Sequence, residues 1–355
     1  MNKLIISNNK QIVIYYAGFL RFGGVMSHVR AIERELSKTG WNVAVITLDN
    51  LPIWYRYIPH VVEKLVNLVN RPLGYFYKDR ITGFLYRLLF DTKVDIRIFE
   101  DIYIGWNSET PSISILHAAW SDNLQSYPVS AKQQKKLRNR EAKIIDRINH
   151  TVATVSAPYL KYLKEKHFSG GVSKKIDVIE LGIEQSQFLE TRSDNKKSII
   201  YVGTLEARKN ILFLLEVFKK LSEIDPDYKL TLVGDGPERR KLADFVKDNG
   251  LTVDFLGALS HEKVVAELHR HGIYLHTSVK ESFSYALLEA KLAGLRTCAY
   301  EKLQVPEEFI DVPISTFNID EWCDGIVNID WTPAVFSAEK YTVEKMTLST
   351  LKLAK

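Results

Sequence analysis

Strand and helix signals alternate along this chain, and that alternation restricts the fold more than any other feature. Ile12-Val13-Ile14-Tyr15-Tyr16 and Val43-Ala44-Val45-Ile46 are short β-branched and aromatic runs, and between them Val25, Val29, Ile32 and Leu36 recur at helical spacing. The pattern returns in the second half. Ser198 to Val202 reads as a strand, Ile211, Leu214, Leu215 and Phe218 as one helix face, Leu230 to Val233 as a strand, Arg239 to Val246 as a helix, and Val253 to Leu256 as a strand. Such alternation builds parallel sheets covered by helices, and parallel sheets bind ligands beyond the carboxyl ends of their strands.

The 355 residues exceed one ordinary core and suit two domains. The polar stretch Glu184 to Lys197 has no apolar period and marks the join. The expected division is 1–184, 185–336 and a terminal helix over 337–355. With 46% hydrophobic and 26% charged residues the chain is neither disordered nor collagen-like. Cys298 and Cys323 form neither a CxxC spacing nor a disulfide framework, which fits a reducing cytoplasm. The amino terminus turns polar at Ser7-Asn8-Asn9-Lys10, unlike a secretion signal, and no run reaches the roughly 20 apolar residues of a membrane span.

The loops after the strands carry the chemistry. Gly18-Phe19-Leu20-Arg21-Phe22-Gly23-Gly24 leads from a strand into a helix, where glycines let backbone amides approach a diphosphate; a plain tight turn reads equally well. Tyr201-Val202-Gly203-Thr204-Leu205-Glu206-Ala207-Arg208-Lys209-Asn210 puts two cations at a helix start, suited to phosphates or, more blandly, to solvent. Leu232-Val233-Gly234-Asp235-Gly236-Pro237 alone says only that a strand ends in a turn. The strongest signal is Glu281-Ser282-Phe283-Ser284-Tyr285-Ala286-Leu287-Leu288-Glu289-Ala290, after the strand Ile273 to Thr277. A helix starting near Ser284 points free amides at an anion, and a wholly helical path would put Glu289 about 12 Å from Glu281. The alternative is a capping Glu281 and a solvated or structurally paired Glu289.

Glu281 and Glu289 match the E-x7-E pattern of glycosyltransferase family 4, and the chain resembles that family along nearly its whole length. Leu287-Leu288-Glu289-Ala290 with Ala293-Gly294 looks like its helix. Tyr201 to Asn210 looks like the opening of its second domain, Phe255-Leu256-Gly257 like its base-binding strand end, and His117 like its active-site histidine. The resemblance implies the GT-B fold: α/β, two Rossmann-like domains facing a cleft, with a C-terminal helix crossing back to the first domain. It implies a retaining hexosyltransferase that uses a nucleoside diphosphate sugar and no metal or other cofactor, with mannose as the first donor guess. A glycan or lipid-linked glycan would be the acceptor, in cell-surface polysaccharide synthesis. It carries over His117 and Glu281 as catalytic residues. Gly23, Gly24, Gly203, Thr204, Arg208, Lys209, Gly234, Gly257, Ala258, Phe283, Ser284, Tyr285 and Glu289 become donor-binding. The sequence departs from the family at Thr204, where many relatives have arginine, and at Ser284, where they have glycine, which leaves the donor open.

Leu51 to Phe90 has no clear family counterpart. It mixes Trp54, Tyr55, Tyr57, Tyr75, Phe76, Tyr77, Phe84 and Tyr86 with six cations and only Glu63 and Asp79. That composition suits an anionic membrane surface, so a peripheral place on the cytoplasmic membrane face is one expectation and a helical insertion covering the sheet the other. Lys132 to Arg147 is basic too, yet no nucleic-acid motif accompanies it and no nucleic-acid partner is expected. Asp225-Pro226-Asp227 imitates a metal-binding DxD but reads as a turn. The competing class is a non-catalytic GT-B relative acting as a glycan- or membrane-binding module.

Overall fold

The structure, a computed structural model, describes residues 10–19, 24–123, 129–188, 195–332 and 336–355. The chain forms two compact units, Met1–Ile183 with Lys340–Lys355 and Glu184–Glu339.

The first unit runs β1 (Gln11–Tyr15), α1 (Gly24–Lys38), β2 (Asn42–Ile46), α2 (Ile53–Phe90), β3 (Ile96–Phe99), β4 (Ser112–Leu116), α3 (Trp120–Asn123), α4 (Ala131–Arg147), β5 (Thr151–Thr154), α5 (Ala157–Tyr162) and β6 (Ile176–Val178). All pairings are parallel, in the order β2-β1-β3-β4-β5-β6. Strands covered on both faces favour apolar residues along their length, and Ile12 to Tyr15 are buried throughout; β3 is buried throughout too, and its Arg97 pairs with Asp91 (2.6 Å). Helix α1 turns Met26, Val29, Ile32 and Leu36 onto the sheet.

Helix α2 is the stretch without a family counterpart, 38 residues in one piece. It continues through Pro59 and Pro72, which deny an amide to the carbonyls of Tyr55 and Leu68. Tyr15 donates its hydroxyl to Phe90 O (2.9 Å), and Tyr86 donates to Tyr16 O (2.8 Å), fixing the end of α2 to β1. Leu85 and Tyr86 join Tyr15, Phe99 and Trp106 in one core cluster.

Helix α4 exposes Lys132, Lys135, Lys136, Lys143 and Arg147 and half-buries Arg138 and Arg140. Its buried Glu141 accepts from Tyr103 Oη (2.6 Å), Ser121 N (2.9 Å) and the Ser121 hydroxyl. His167 lies against both Glu141 and Asp122 (3.8 and 3.3 Å).

The second unit runs β7 (Ser198–Val202), α6 (Ile211–Ile224), β8 (Lys229–Val233), α7 (Arg239–Asp248), β9 (Val253–Gly257), α8 (His261–Leu268), β10 (Ile273–His276), α9 (Tyr285–Leu292), β11 (Arg296–Tyr300), β12 (Val312–Ile314) and α10 (Ile319–Val327). Its six strands, again all parallel, lie in the order β12-β11-β10-β7-β8-β9. Ile211, Leu214, Leu215 and Phe218 of α6 are buried against Tyr201, Leu230 and Trp322. Cys298 and Cys323 are both buried and unbridged.

Helix α11 (Val343–Ala354) belongs to the first unit, where it packs on α1, β3 and β4. The backbones of Gly182 and Thr342 touch there: a Cβ on Gly182 would stand 2.1 Å from Thr342 O. The α/β architecture of two Rossmann-like units, with the terminal helix on the first, is therefore the one the sequence implied. Among the described residues no helix is long and apolar enough to cross a membrane.

Both sheets contain a point where strand order reverses. In the second unit β7 is followed outward by β8 and β9 on one side and by β10, β11 and β12 on the other, so the loops after β7 and β10 part and leave a crevice. In the first unit the same divergence falls between β1 and β3.

Candidate functional site

The two loops at the β7/β10 divergence hold one another. Thr277 Oγ1 lies 3.1 Å from both Lys209 O and Asn210 O, and Val279 N donates to Arg208 O (3.3 Å). Residues Ala207–Lys209 form a single 3-10 turn, closed by Asn210 in the left-handed region at φ 54°. This turn aims Lys209 across the crevice, where its Nζ meets Glu281 Oε1 at 2.5 Å, the side chains being 14% and 11% exposed. Arg208 Nε pairs with Glu206 (2.7 Å), and its Nη1 lies 3.9 Å from the other Glu281 oxygen. His276 Nε2, at the end of β10, is 3.3 Å from Glu281 Oε1.

Burial alone would push the Glu281 carboxyl up. Lys209, the His276 contact and Arg208 together outweigh burial and hold it well below the usual carboxylate range. Burial also lowers the His276 imidazole, against the opposing pull of Glu281, so His276 is neutral. The result is an ionised carboxylate, little exposed, with Lys209 on one oxygen and Arg208 near the other.

Ser284 opens α9 with φ 69°, and its Oγ accepts from Leu287 N (3.4 Å). A left-handed φ is the conformation glycine adopts freely, which gives the family's glycine at this position a physical reason and makes Ser284 a strained substitute. Because α9 starts at Tyr285, the path from Glu281 to Glu289 is not wholly helical, and the 12 Å spacing of a wholly helical path does not apply. Glu289 is 14% exposed, with His261 Nδ1 at 3.8 Å, and burial pushes its carboxyl up to about 7. The ring of Phe283, expected among the donor-binding residues, is buried against Phe309 and Tyr285.

The glycines divide. Gly203 follows β7 on the same loop as Thr204, which is exposed. Gly234 is a packing glycine: a Cβ would stand 1.9 Å from Gly203 O, and its N–H donates to Gly257 O (2.8 Å). Its φ of 133° and that close approach account for it without a donor. Gly257 closes β9 at φ 71°, and Ala258 beyond it is exposed. Asp225 and Asp227 both pair with Lys197 (2.6 and 3.0 Å) in the turn between α6 and β8, so the DxD-like tripeptide is a turn, as expected.

In the first unit the β1/β3 divergence gathers three side chains. His117, after β4, has Nε2 2.8 Å from Glu100 Oε2, and His28 on α1 has Nε2 3.4 Å from the same oxygen. Burial lowers His28 to about 4 against the pull of Glu100, so it stays neutral. These ligand atoms lie within 4.8 Å of one another, a spacing that can hold a small cation; the His117–Glu100 hydrogen bond equally satisfies that pair without one. Gly24 begins α1, the helix that carries His28, whereas Gly23 lies outside the described residues.

Sequence reasoning missed Glu100, His28 and His276. Glu100 and His276 are polar residues at the carboxyl ends of apolar strands, a usable signal. His28 shares the apolar face of α1 and reads as core.

Comparison with known proteins points the same way. A component of the phosphatidylinositol N-acetylglucosaminyltransferase of Arabidopsis thaliana is 32% identical over 116 residues, 32% of this chain and 26% of that protein. The 2-deoxystreptamine N-acetyl-D-glucosaminyltransferase of Niallia circulans is 30% identical over 109 residues, 30% of this chain and 28% of that protein. The chain thus matches about a quarter of the length of each relative. Among solved structures, sucrose-phosphate synthase from Thermosynechococcus elongatus superposes with a TM-score of 0.68 at 19% identity, over 97% of this chain and 94% of that one. HepE from Anabaena, in complex with UDP and glucose, gives 0.59 at 16% identity over 96% and 95%. At these identities the likeness is one of fold. Residues 183–312, the stretch that holds Gly203, Arg208, Lys209, Glu281 and Glu289, match the family model described as Glycosyl transferases group 1.

Proposed function

We propose that the protein is a retaining hexosyltransferase that moves a sugar from a nucleoside diphosphate to a glycan or lipid-linked glycan acceptor, in cell-surface polysaccharide synthesis. The observation that carries this reading is the pairing of Lys209 and Arg208 with Glu281 at the strand-order reversal of the second unit. A diphosphate arriving there gains the two cations and the free amides at the start of α9, and the charge that develops as the anomeric C–O bond breaks is stabilised by the same groups. Glu281, released from Lys209, is left to accept hydrogen bonds from the transferred sugar. Glu289, poised near 7, is placed to accept from the ribose hydroxyls. His117, oriented by Glu100, serves the reacting face on the acceptor side. In this reading the acceptor hydroxyl bonds to the anomeric carbon on the face the diphosphate leaves, its proton passes to the departing phosphate oxygen, and no metal takes part.

The donor panel for the test contains GDP-mannose, the first expectation, together with UDP-glucose and UDP-N-acetylglucosamine, prompted by the names of the relatives. Thermal shift and nucleotide release are measured with each. Stabilisation and release with one donor, lost in Lys209→Ala, support the reading. No stabilisation with any donor, or binding without release, replaces it with a binding module.

A peripheral place on the cytoplasmic membrane face, expected from Leu51 to Phe90, is part of the same proposal, and the first unit offers a second feature that supports it. Its α4 exposes Lys132, Lys135, Lys136, Lys143 and Arg147, a field that attracts anionic headgroups.

A further inference from the structure

Helix α2 is amphipathic in the reverse sense for a surface helix. Over residues 53–68 its inward side carries Pro59, His60, Glu63 and Val66, which are buried or half-buried. Trp54, Tyr57, Ile58, Val61, Leu65 and Leu68 are exposed, Trp54 and Leu68 at 83%. At 100° per residue these six fall within a sector of about 100°, one continuous stripe. Their exposed surface is on the order of 700 Å², above the few hundred usual for a monomer's largest apolar patch.

Charge decides what covers it. Lys64 is the exposed charge among residues 53–68; Arg56 and Glu63 are half-buried, and Arg56 donates to Asp49 O (2.7 Å) and Leu51 O (3.3 Å). Helix α4 packs on α2 through Arg140 over Phe76 and Tyr77. The exposed acid of α4, Asp146, already accepts from Ser173 N and Lys174 N (both 2.9 Å). A self-complementary contact between two copies through this stripe would offer no exposed acid from residues 53–68 to meet Lys64, and would leave it and the exposed lysines of α4 without counter-charges. Anionic headgroups neutralise them, and tryptophan and tyrosine at one end of the stripe suit the headgroup layer.

We infer that the first half of α2 inserts this stripe into the outer layer of an anionic membrane, lying along it rather than across it. The inference rests on the membrane contact proposed above and assigns it to one face of one half of α2, by insertion rather than by charge alone. Its consequence is that binding depends on apolar insertion as well as on the lysines of α4.

The test is flotation of the full chain with phosphatidylcholine vesicles, with and without phosphatidylglycerol, at low salt. The forms compared are wild type, Leu65→Glu/Leu68→Glu and Lys132→Ser/Lys135→Ser/Lys136→Ser. Wild type is expected to float with the anionic vesicles. The stripe variant should lose binding by about tenfold or more, with its circular dichroism and melting temperature unchanged because both positions are exposed. If the stripe variant floats like wild type while the lysine variant does not, contact is electrostatic alone and the insertion is wrong. Failure of wild type to float removes both readings. A wild-type dimer that the stripe substitutions dissociate gives the stripe to a second copy and overturns the inference. Nucleotide stabilisation, measured on the same samples, reports separately on the second unit.

Discussion

Replacing Lys209 by methionine tests the electrostatics of the site directly. The substitution keeps the stem and deletes an ammonium 2.5 Å from Glu281 Oε1, in a place where both side chains are little exposed. Arg208, 3.9 Å from the other oxygen, is the cation that remains, and His276 is neutral. Breaking such a pair from one side leaves a buried carboxylate uncompensated and costs about 3 kcal/mol. For a unit of this size that corresponds to a fall in melting temperature of about 6–12 °C. Removing the carboxylate as well, in Lys209→Met/Glu281→Met, should restore most of the loss, for a coupling energy of about 2 kcal/mol. The sign with pH is also determined. Glu281 is held below its ordinary range, so its contribution is present above the unfolded carboxylate value and lost as pH falls through the folded one. The gap between wild type and Lys209→Met should therefore shrink in acid. Differential scanning calorimetry of the four proteins of the cycle, from about pH 2.5 to pH 8, provides the measurement. A single variant within about 0.5 kcal/mol of wild type, or a gap that widens on acidification, refutes the reasoning.

Three further perturbations have expected outcomes. Burial raises Glu289 from 4.5 to about 7, so the wild type loses stability as pH rises through that interval; Glu289→Gln should gain on it by about 3 kcal/mol between pH 4.5 and 8, and a pH-independent difference in melting temperature would contradict the burial argument. Gly234→Ala forces a methyl to within 1.9 Å of Gly203 O at φ 133°, and urea unfolding should show a loss of about 3 kcal/mol or more. Glu141→Ala strips the acceptor from Tyr103, from Ser121 N and from the Ser121 hydroxyl, and should lower first-unit stability by at least about 3 kcal/mol; native-state hydrogen exchange at β4 and β5 would register it.

The sequence shows the layered fold because each strand is a short apolar run and each covering helix repeats its apolar residues at a fixed interval. Ile12 to Tyr16 and Ser198 to Val202 lie within one residue of β1 and on β7. The loops bearing Lys209 and Glu281 were legible for the same reason: they directly follow strands. Their direct contact was not, since Lys209 and Glu281 are 72 residues apart and meet only because β10 lies beside β7. Strand order likewise hid the convergence of His28, Glu100 and His117 from three separate elements. The inward packing of the Phe283 ring and the backbone pressed against Gly234 were illegible because neither leaves a periodic trace. That Leu51 to Phe90 could be a helical insertion was legible; its unbroken run through two prolines and its solvent-facing apolar stripe were not, because the stripe inverts the usual periodicity.

The backbone contact between Gly182 and Thr342 has a consequence for how the molecule is made. The second unit is inserted in the sequence of the first, and Val343, Met346, Thr347 and Thr350 are buried against elements translated far earlier. During synthesis the second unit can finish folding while the first still lacks α11. The older part of the polypeptide must wait for the newer, with part of the surface of α1, β3 and β4 uncovered until α11 leaves the ribosome.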